Sequence, residues 1–181
     1  MEYLVSILNE NDRIQIYNNL LTFDHPIVLN QLTANVHKMN NNSAIYGAVV
    51  LHNKNFCCKE LYKFCKFIYL ISEPTICFKN ALNDKKDNAE IISRYYCFRL
   101  RRIYEMAAHT PNAIVIDYQS LVDKKKLEPI DEYLLLRNNL YYKWDSLLFP
   151  EMKIPKEPLK YCQEAYERYL FKLKNLNIKM I

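Results

Sequence analysis

The stretch FIYLISEP, at residues 67–74, decides the fold class that we predict for this chain. Its first five residues are apolar and rich in β-branched and aromatic side chains, which is typical of a strand buried on both faces. Pro74 then favours the first turn of a helix, because its missing N–H would have no intrahelical partner there. A buried strand followed at once by a helix indicates an α/β unit.

Similar units are predicted on both sides of this stretch. Short apolar runs at residues 44–51 and 113–118 predict two more buried strands. Helical spacing covers residues 75–82 and the long segment 89–109, which ends before a Thr-Pro-Asn stop. Strands that alternate with helices predict an α/β fold with a mostly parallel sheet of at least three strands, flanked by helices.

The N-terminal quarter is predicted to be helical. Residues 1–9 and 27–39 have helical spacing, and a second apolar stretch covers residues 14–21. We expect no strand in this quarter. That is unusual, because α/β nucleotide-binding folds normally open with a strand.

The C-terminal part is predicted to end in a helix packed on the domain. Residues 131–140 have helical spacing, and residues 149–158 hold three prolines, which predicts a loop. Residues 159–176 then predict a closing helix. Neither a repeat nor a domain boundary is visible, so we expect one domain over residues 1–181, with 150–181 as its C-terminal loop and closing helix.

The composition excludes several classes of site. Gly47 is the only glycine among 181 residues, so a Walker-type phosphate loop, a dinucleotide fingerprint and a nucleophile elbow are excluded within this chain. Half of the residues are hydrophobic and 13% are aromatic, which predicts a sizeable core. The net charge of +5 is small for a nucleic-acid-binding protein. No apolar run reaches the roughly 18 residues of a membrane span, so we expect no membrane.

The cysteines favour reduced thiols. Six cysteines occur without any C-x-x-C spacing, and no signal peptide is visible. We therefore expect the cytoplasm or another reducing intracellular compartment. Cys57 and Cys58 with His52 fit no zinc spacing, so no metal site is predicted. Abundant Asn, Tyr, Ile and Lys indicate an AT-rich genome.

Several segments, in a fixed order, resemble the P-loop sulfotransferase family. FIYLISEP is similar to the family segment F-I-Y-L-x-R-D-P, and other segments resemble its strand ending in K-x-H, its long helix and its strand ending in Y-E-D-L. The similar segments are residues 2–14, 49–52, 67–74, 99–104 and 111–121. The resemblance covers most of residues 1–140. It implies a P-loop NTP hydrolase-type fold whose first strand and phosphate loop are missing from this chain.

The resemblance also implies where a donor site would lie. The family transfers a sulfuryl group from 3′-phosphoadenosine 5′-phosphosulfate (PAPS) to a hydroxyl or amine. His52 matches the general-base position, whereas Val50 stands where the family has Lys. Ser72 stands where an Arg binds the 3′-phosphate, and Asn80 where a Ser does. Losing the Arg removes about 1.5–3 kcal/mol for one charged hydrogen bond.

Three functions follow as hypotheses. The leading one is a degenerate sulfotransferase-like protein with a non-catalytic structural or protein-interaction role in a larger assembly, with a protein partner or as a homo-oligomer and with no cofactor. The alternative is an active sulfotransferase that binds PAPS and its product PAP, with His52 as catalytic residue and Ser72 and Asn80 as cofactor-binding residues. A third is a basic RNA-contacting module, in which nucleic acid would bind the helix face formed by Arg94, Arg99, Arg101 and Arg102.

Overall fold

The computed structural model describes residues 8, 14–17, 45–48, 66–83, 88–110, 112–119, 128–135 and 154–181. Within them lie five strands and four helices. The strands are β1 (Ile14–Tyr17), β2 (Ile45–Ala48), β3 (Phe67–Ile71), β4 (Ala113–Asp117) and β5 (Lys179–Met180). The helices are α1 (Pro74–Asn83), α2 (Ala89–Ala107), α3 (Glu128–Leu134) and α4 (Lys156–Lys174).

A parallel three-stranded sheet, ordered β3-β4-β5, confirms the predicted α/β class. β3 pairs with β4 in parallel register, with Phe67 opposite Ala113 and Ile71 opposite Asp117. Both strands occupy the positions that their apolar runs predict. Because the first and last residues of β3 pair with those of β4, the two strands end side by side. The residues that follow them therefore lie at one edge of the sheet.

The N-terminal quarter contains a strand, so the prediction of none there is wrong. β1 pairs in parallel with β2, with Ile14 opposite Ile45, in a sheet of its own. The segment Ile-Gln-Ile-Tyr alternates apolar and other residues, a pattern of period two that a strand favours. Within the run predicted at residues 44–51, the described residues Ile45–Ala48 form a strand, but the third strand beside β3 and β4 is β5. Of the helix predicted at residues 1–9, only Leu8 lies within the described residues, and it is helical and buried.

The main core lies between this sheet and three helices. α2 buries one continuous stripe, and Asn88 caps its first turn by accepting a hydrogen bond from the Ile91 amide at 2.9 Å. α4 packs along α2, and α1 contacts both helices. The core is completed by alternate residues of β4, whose remaining residues, Ile114 and Ile116, are buried on the opposite face. β4 is therefore covered on both faces, as a central parallel strand is expected to be.

The C-terminal part differs from the prediction in two helix boundaries and one additional strand. α4 begins at Lys156, inside the predicted loop, because Pro158 falls in its first turn, where a missing N–H costs nothing. α3 begins three residues before the predicted start and stops where Leu135 takes a positive φ of 58°. β5 was not predicted, because a strand of two residues is too short to show a sequence pattern. This strand depends on its pairing with β4. The remainder of the helix predicted at residues 131–140 lies outside the described residues.

Candidate functional site

The candidate site lies at the carboxyl ends of β3 and β4, the edge where open parallel sheets bind ligands. Ser72 and Glu73 follow β3 directly, and Pro74 begins α1. Asp117 ends β4 beside them. Of the residues that the sulfotransferase resemblance implies, Ser72 is the one whose side chain the structure describes. Asn80 lies on α1, but its side chain and the whole of His52 are outside the described residues.

The Ser72 side chain is directed into the protein. Its Oγ is buried and makes no hydrogen bond of ordinary geometry within the described residues. It lies beside the Cys77 thiol. Burial raises the pKa of that thiol to about 11, and the Ser72 side chain lowers it by a smaller amount. The hydroxyl thus contacts a neutral thiol.

Two tyrosine hydroxyls bind the polar groups at this edge. The Tyr96 hydroxyl donates a hydrogen bond to the Ser72 carbonyl oxygen at 2.7 Å. The Tyr166 hydroxyl donates to Asp117 Oδ2 at 2.7 Å, and the other carboxylate oxygen of Asp117 accepts from the Gln119 amide at 3.0 Å. Both tyrosines are buried and come from the two long helices, α2 and α4. The edge is therefore closed by α2 and α4 across the ends of β3 and β4.

The charged groups that raise the pKa of Tyr166 at this edge are acidic. Burial raises the pKa of Tyr166 above its usual range, and the hydrogen bond and charge of Asp117, followed by the charge of Glu73, raise it further. The pKa of Tyr96 is raised as well, chiefly by burial. Both hydroxyls thus remain protonated donors at neutral pH. An anionic donor brought here would meet carboxylates, whereas phosphate sites offer N–H groups and cations.

A group of thiols lies next to this edge, between α2 and α4. Cys162 is fully buried, and its sulfur is 4.0 Å from Cys97 Sγ and 3.3 Å from Ser93 Oγ. Cys77, on α1, is close enough to both neighbouring tyrosines to contribute to the raised pKa of each. Sequence reasoning missed this group because its members are 20 and 65 residues apart, which is no recognised spacing. The described residues contain no cluster of three metal-ligating side chains.

Of the predicted basic helix face on α2, Arg94 and Arg101 are exposed, whereas Arg99 and Arg102 are partly buried. Tyr96 is buried at the sheet edge, and Tyr104 packs against Tyr169 with ring centroids 6.0 Å apart. The exposed positions of this helix form a stripe, which we name the outer face of α2: Glu90, Ile91, Arg94, Tyr95, Phe98 and Arg101. The spacing of its apolar members, i, i+4 and i+7, is the signal that could have identified them.

Glu105 reduces the positive charge at one end of the outer face. Its carboxylate is 2.8 Å from Arg101 Nε and 3.0 Å from Arg102 Nη1. These contacts, chiefly the hydrogen bond from Arg101, lower the pKa of Glu105, so the carboxylate stays ionised and paired. Two of the four arginines proposed to contact nucleic acid are therefore already engaged.

A shallow cavity of about 440 Å³ lies at the other end of the sheet. Its lining includes Asn112, Tyr133 and the exposed ion pair between Glu132 and Lys179, whose charged atoms are 2.9 Å apart. The Tyr133 hydroxyl accepts a hydrogen bond from the Phe67 amide at 2.8 Å. This cavity is at the amino ends of the strands, whereas Ser72 lies at their carboxyl ends.

The fold and this closed edge define a class, namely an α/β protein with a small parallel sheet whose carboxyl edge is covered by side chains of two helices. Comparison of the chain with protein-family models, with curated proteins and with solved structures found no match. None of the described helices has the length and apolarity needed to cross a bilayer.

Proposed function

We propose that this chain is a non-catalytic interaction protein, a degenerate relative of the sulfotransferases that binds an acidic surface of a protein partner through the outer face of α2. The observation that carries the proposal is this face. It exposes Ile91, Tyr95 and Phe98 on a helix whose opposite side already forms the core.

The closed sheet edge supports the non-catalytic part of the proposal. A sulfuryl donor brings several negative charges, and like charges 4 Å apart repel by about 4 kcal/mol in partly buried surroundings. Asp117 and Glu73 would face those charges. The donor would also have to displace the hydrogen bonds of Tyr96 and Tyr166, each 2.7 Å long. We infer that the edge stabilises the fold.

The outer face of α2 has the composition of a protein-binding surface. Side chains at i, i+4 and i+7 are the anchors by which a helix packs against a partner, and aromatic residues and Arg are enriched at interfaces. Ile91 is 50% exposed, and Tyr95 and Phe98 are each 43% exposed. Large apolar side chains so exposed along one stripe favour a partner that covers them together.

The charges on this face favour an acidic protein. Arg94 and Arg101 flank the apolar residues, and a symmetric homodimer through this face would bring four such guanidinium groups into one interface. RNA would need guanidinium groups free to bind phosphates, whereas Arg101 and Arg102 are paired with Glu105. A protein surface with an apolar centre and an acidic rim complements both the apolar stripe and the remaining positive charge.

Titration calorimetry with 3′-phosphoadenosine 5′-phosphate tests the non-catalytic part. We expect no heat of binding with the nucleotide at concentrations up to about 1 mM, because the sheet edge offers carboxylates in place of cations. Binding in the micromolar range would contradict the proposal and favour the active sulfotransferase, with His52, Ser72 and Asn80 as its site.

Photo-crosslinking tests the outer face of α2. The residue p-benzoylphenylalanine replaces Phe98 in the full chain, which is expressed in its native cells and irradiated. A second chain carries it at Phe171, which is 68% exposed on α4 and serves as the matched control. We expect a protein adduct of defined mass from position 98 and not from position 171, because Phe98 lies on the proposed interface.

The protein found in the adduct must then bind the purified chain directly. We expect the purified partner to carry a net negative charge, and we expect Phe98→Ala to weaken its binding at least about tenfold while Phe171→Ala leaves it unchanged. An adduct of twice the chain's mass would indicate a homo-oligomer, and an adduct with RNA would indicate the nucleic-acid function. Either result, or equal adducts from both positions, would contradict the proposal.

A further inference from the structure

The cysteine pair between α2 and α4 has the arrangement of a thiol–disulfide switch. Cys97 Sγ and Cys162 Sγ are 4.0 Å apart, although the residues are 65 positions apart in the chain. Cys97 is partly exposed, whereas Cys162 is fully buried and held by Ser93 on α2. One sulfur is therefore open to a small oxidant, and the second is positioned behind it.

We propose that Cys97 and Cys162 form a reversible disulfide that links α2 to α4 when the chain meets a low-molecular-weight disulfide such as oxidised glutathione. Both residues are free thiols in the structure. A disulfide bond is about 2.05 Å long, so the sulfurs must approach each other by about 2 Å, which is within reach of a side-chain rotation.

The exchange proceeds in two displacements. Cys97 loses its proton, and its sulfur attacks one sulfur of oxidised glutathione, which breaks that S–S bond and releases one glutathione thiolate. Cys162 then loses its proton and attacks Cys97 Sγ in the mixed disulfide, which expels the second glutathione. The two thiolates take up the two protons. In total, two protein thiols lose two electrons, and one oxidised glutathione becomes two reduced glutathione molecules.

The surroundings determine the order and the speed of these steps. Only Cys97 can meet the oxidant first, because Cys162 has no exposed surface. Burial raises the pKa of Cys97 to about 12, so its thiolate is scarce at neutral pH and the first step is slow. Cys77, the third described cysteine, is the competing thiol, because Cys162 is close enough to contribute to the raised pKa of Cys77.

The test uses the purified full chain, incubated with oxidised glutathione without denaturant. We expect the intact mass to fall by about 2 Da and peptide mapping to find Cys97 joined to Cys162. The disulfide closes a loop of about 65 residues, so we expect a Tm about 5–10 °C above that of the reduced chain, with return to the lower value on addition of dithiothreitol.

Three variants make the result specific. Cys97→Ser and Cys162→Ala should abolish both the mass loss and the Tm rise, and Cys77→Ser should leave both unchanged. Cys97→Ser changes a partly exposed side chain, so a normal Tm in its reduced form shows that it still folds. A stable adduct of one glutathione without mass loss, a disulfide that joins any other pair, or linkage only after denaturation would overturn the proposal.

Discussion

Replacing Phe78 with alanine is expected to lower the free energy of unfolding by about 3–5 kcal/mol. Phe78 has no exposed surface and lies in the core that α1 shares with the sheet, α2 and α4. The substitution removes apolar area from that core and leaves a cavity that packed neighbours fill only in part. In a chain of this size the loss corresponds to a fall in Tm of roughly 10 °C, measured by calorimetry or circular dichroism.

Phe98→Ala is the matched control, since it changes the same residue type on the neighbouring helix. Phe98 is 43% exposed, and alanine favours helix formation, so we expect the free energy of unfolding to change by less than about 1 kcal/mol. Equal effects of the two substitutions would show that α1 does not pack as the structure has it. The same control also establishes that the Phe98→Ala protein is folded in the partner-binding assay.

Replacing Tyr166 with phenylalanine is expected to cost about 1.5–3 kcal/mol, the range for a hydrogen bond to a charged group. The hydroxyl donates to Asp117 Oδ2 at 2.7 Å, in surroundings buried enough to raise the pKa of the tyrosine. Without it the carboxylate keeps the hydrogen bond from the Gln119 amide and loses its donor at Oδ2. We expect a fall in Tm of roughly 4–8 °C by calorimetry.

Tyr161→Phe makes the same chemical change on the same helix. Tyr161 is 54% exposed, so its hydroxyl can be replaced at little cost, and we expect the Tm to stay within about 1 °C of the wild type. Should Tyr166→Phe behave like Tyr161→Phe, the closure of the sheet edge would not stabilise the fold. Should it increase the Tm, the edge would be held under strain, as in a functional site.

Local sequence patterns were sufficient to predict the central elements. β3 and the first four residues of β4 are consecutive apolar residues, a pattern typical of a strand covered on both faces. α2 has a long amphipathic period and begins at a side-chain cap, so its existence and its inward side could both be predicted. Local patterns failed for β1 and β5, which are short and depend on partners distant in the chain.

The sequence predicted that Ser72 follows a strand, but not which side chains meet there. Ser72 follows β3 at the expected sheet edge, because a strand that runs into a helix places its last residues there. The partner of Asp117 is Tyr166, 49 residues away, and the partner of Cys97 is Cys162, 65 residues away. Nothing in the spacing of these residues distinguishes them from other core positions.

The sequence by itself determined that this is an α/β protein with buried parallel strands and no glycine-rich phosphate loop, because those properties depend on residue type and short-range order. Tertiary structure alone decided which strands pair, that two tyrosines close the sheet edge over an aspartate, and that two thiols meet between α2 and α4. These contacts arise when helices pack against a sheet, and the packing brings together side chains that no local pattern connects.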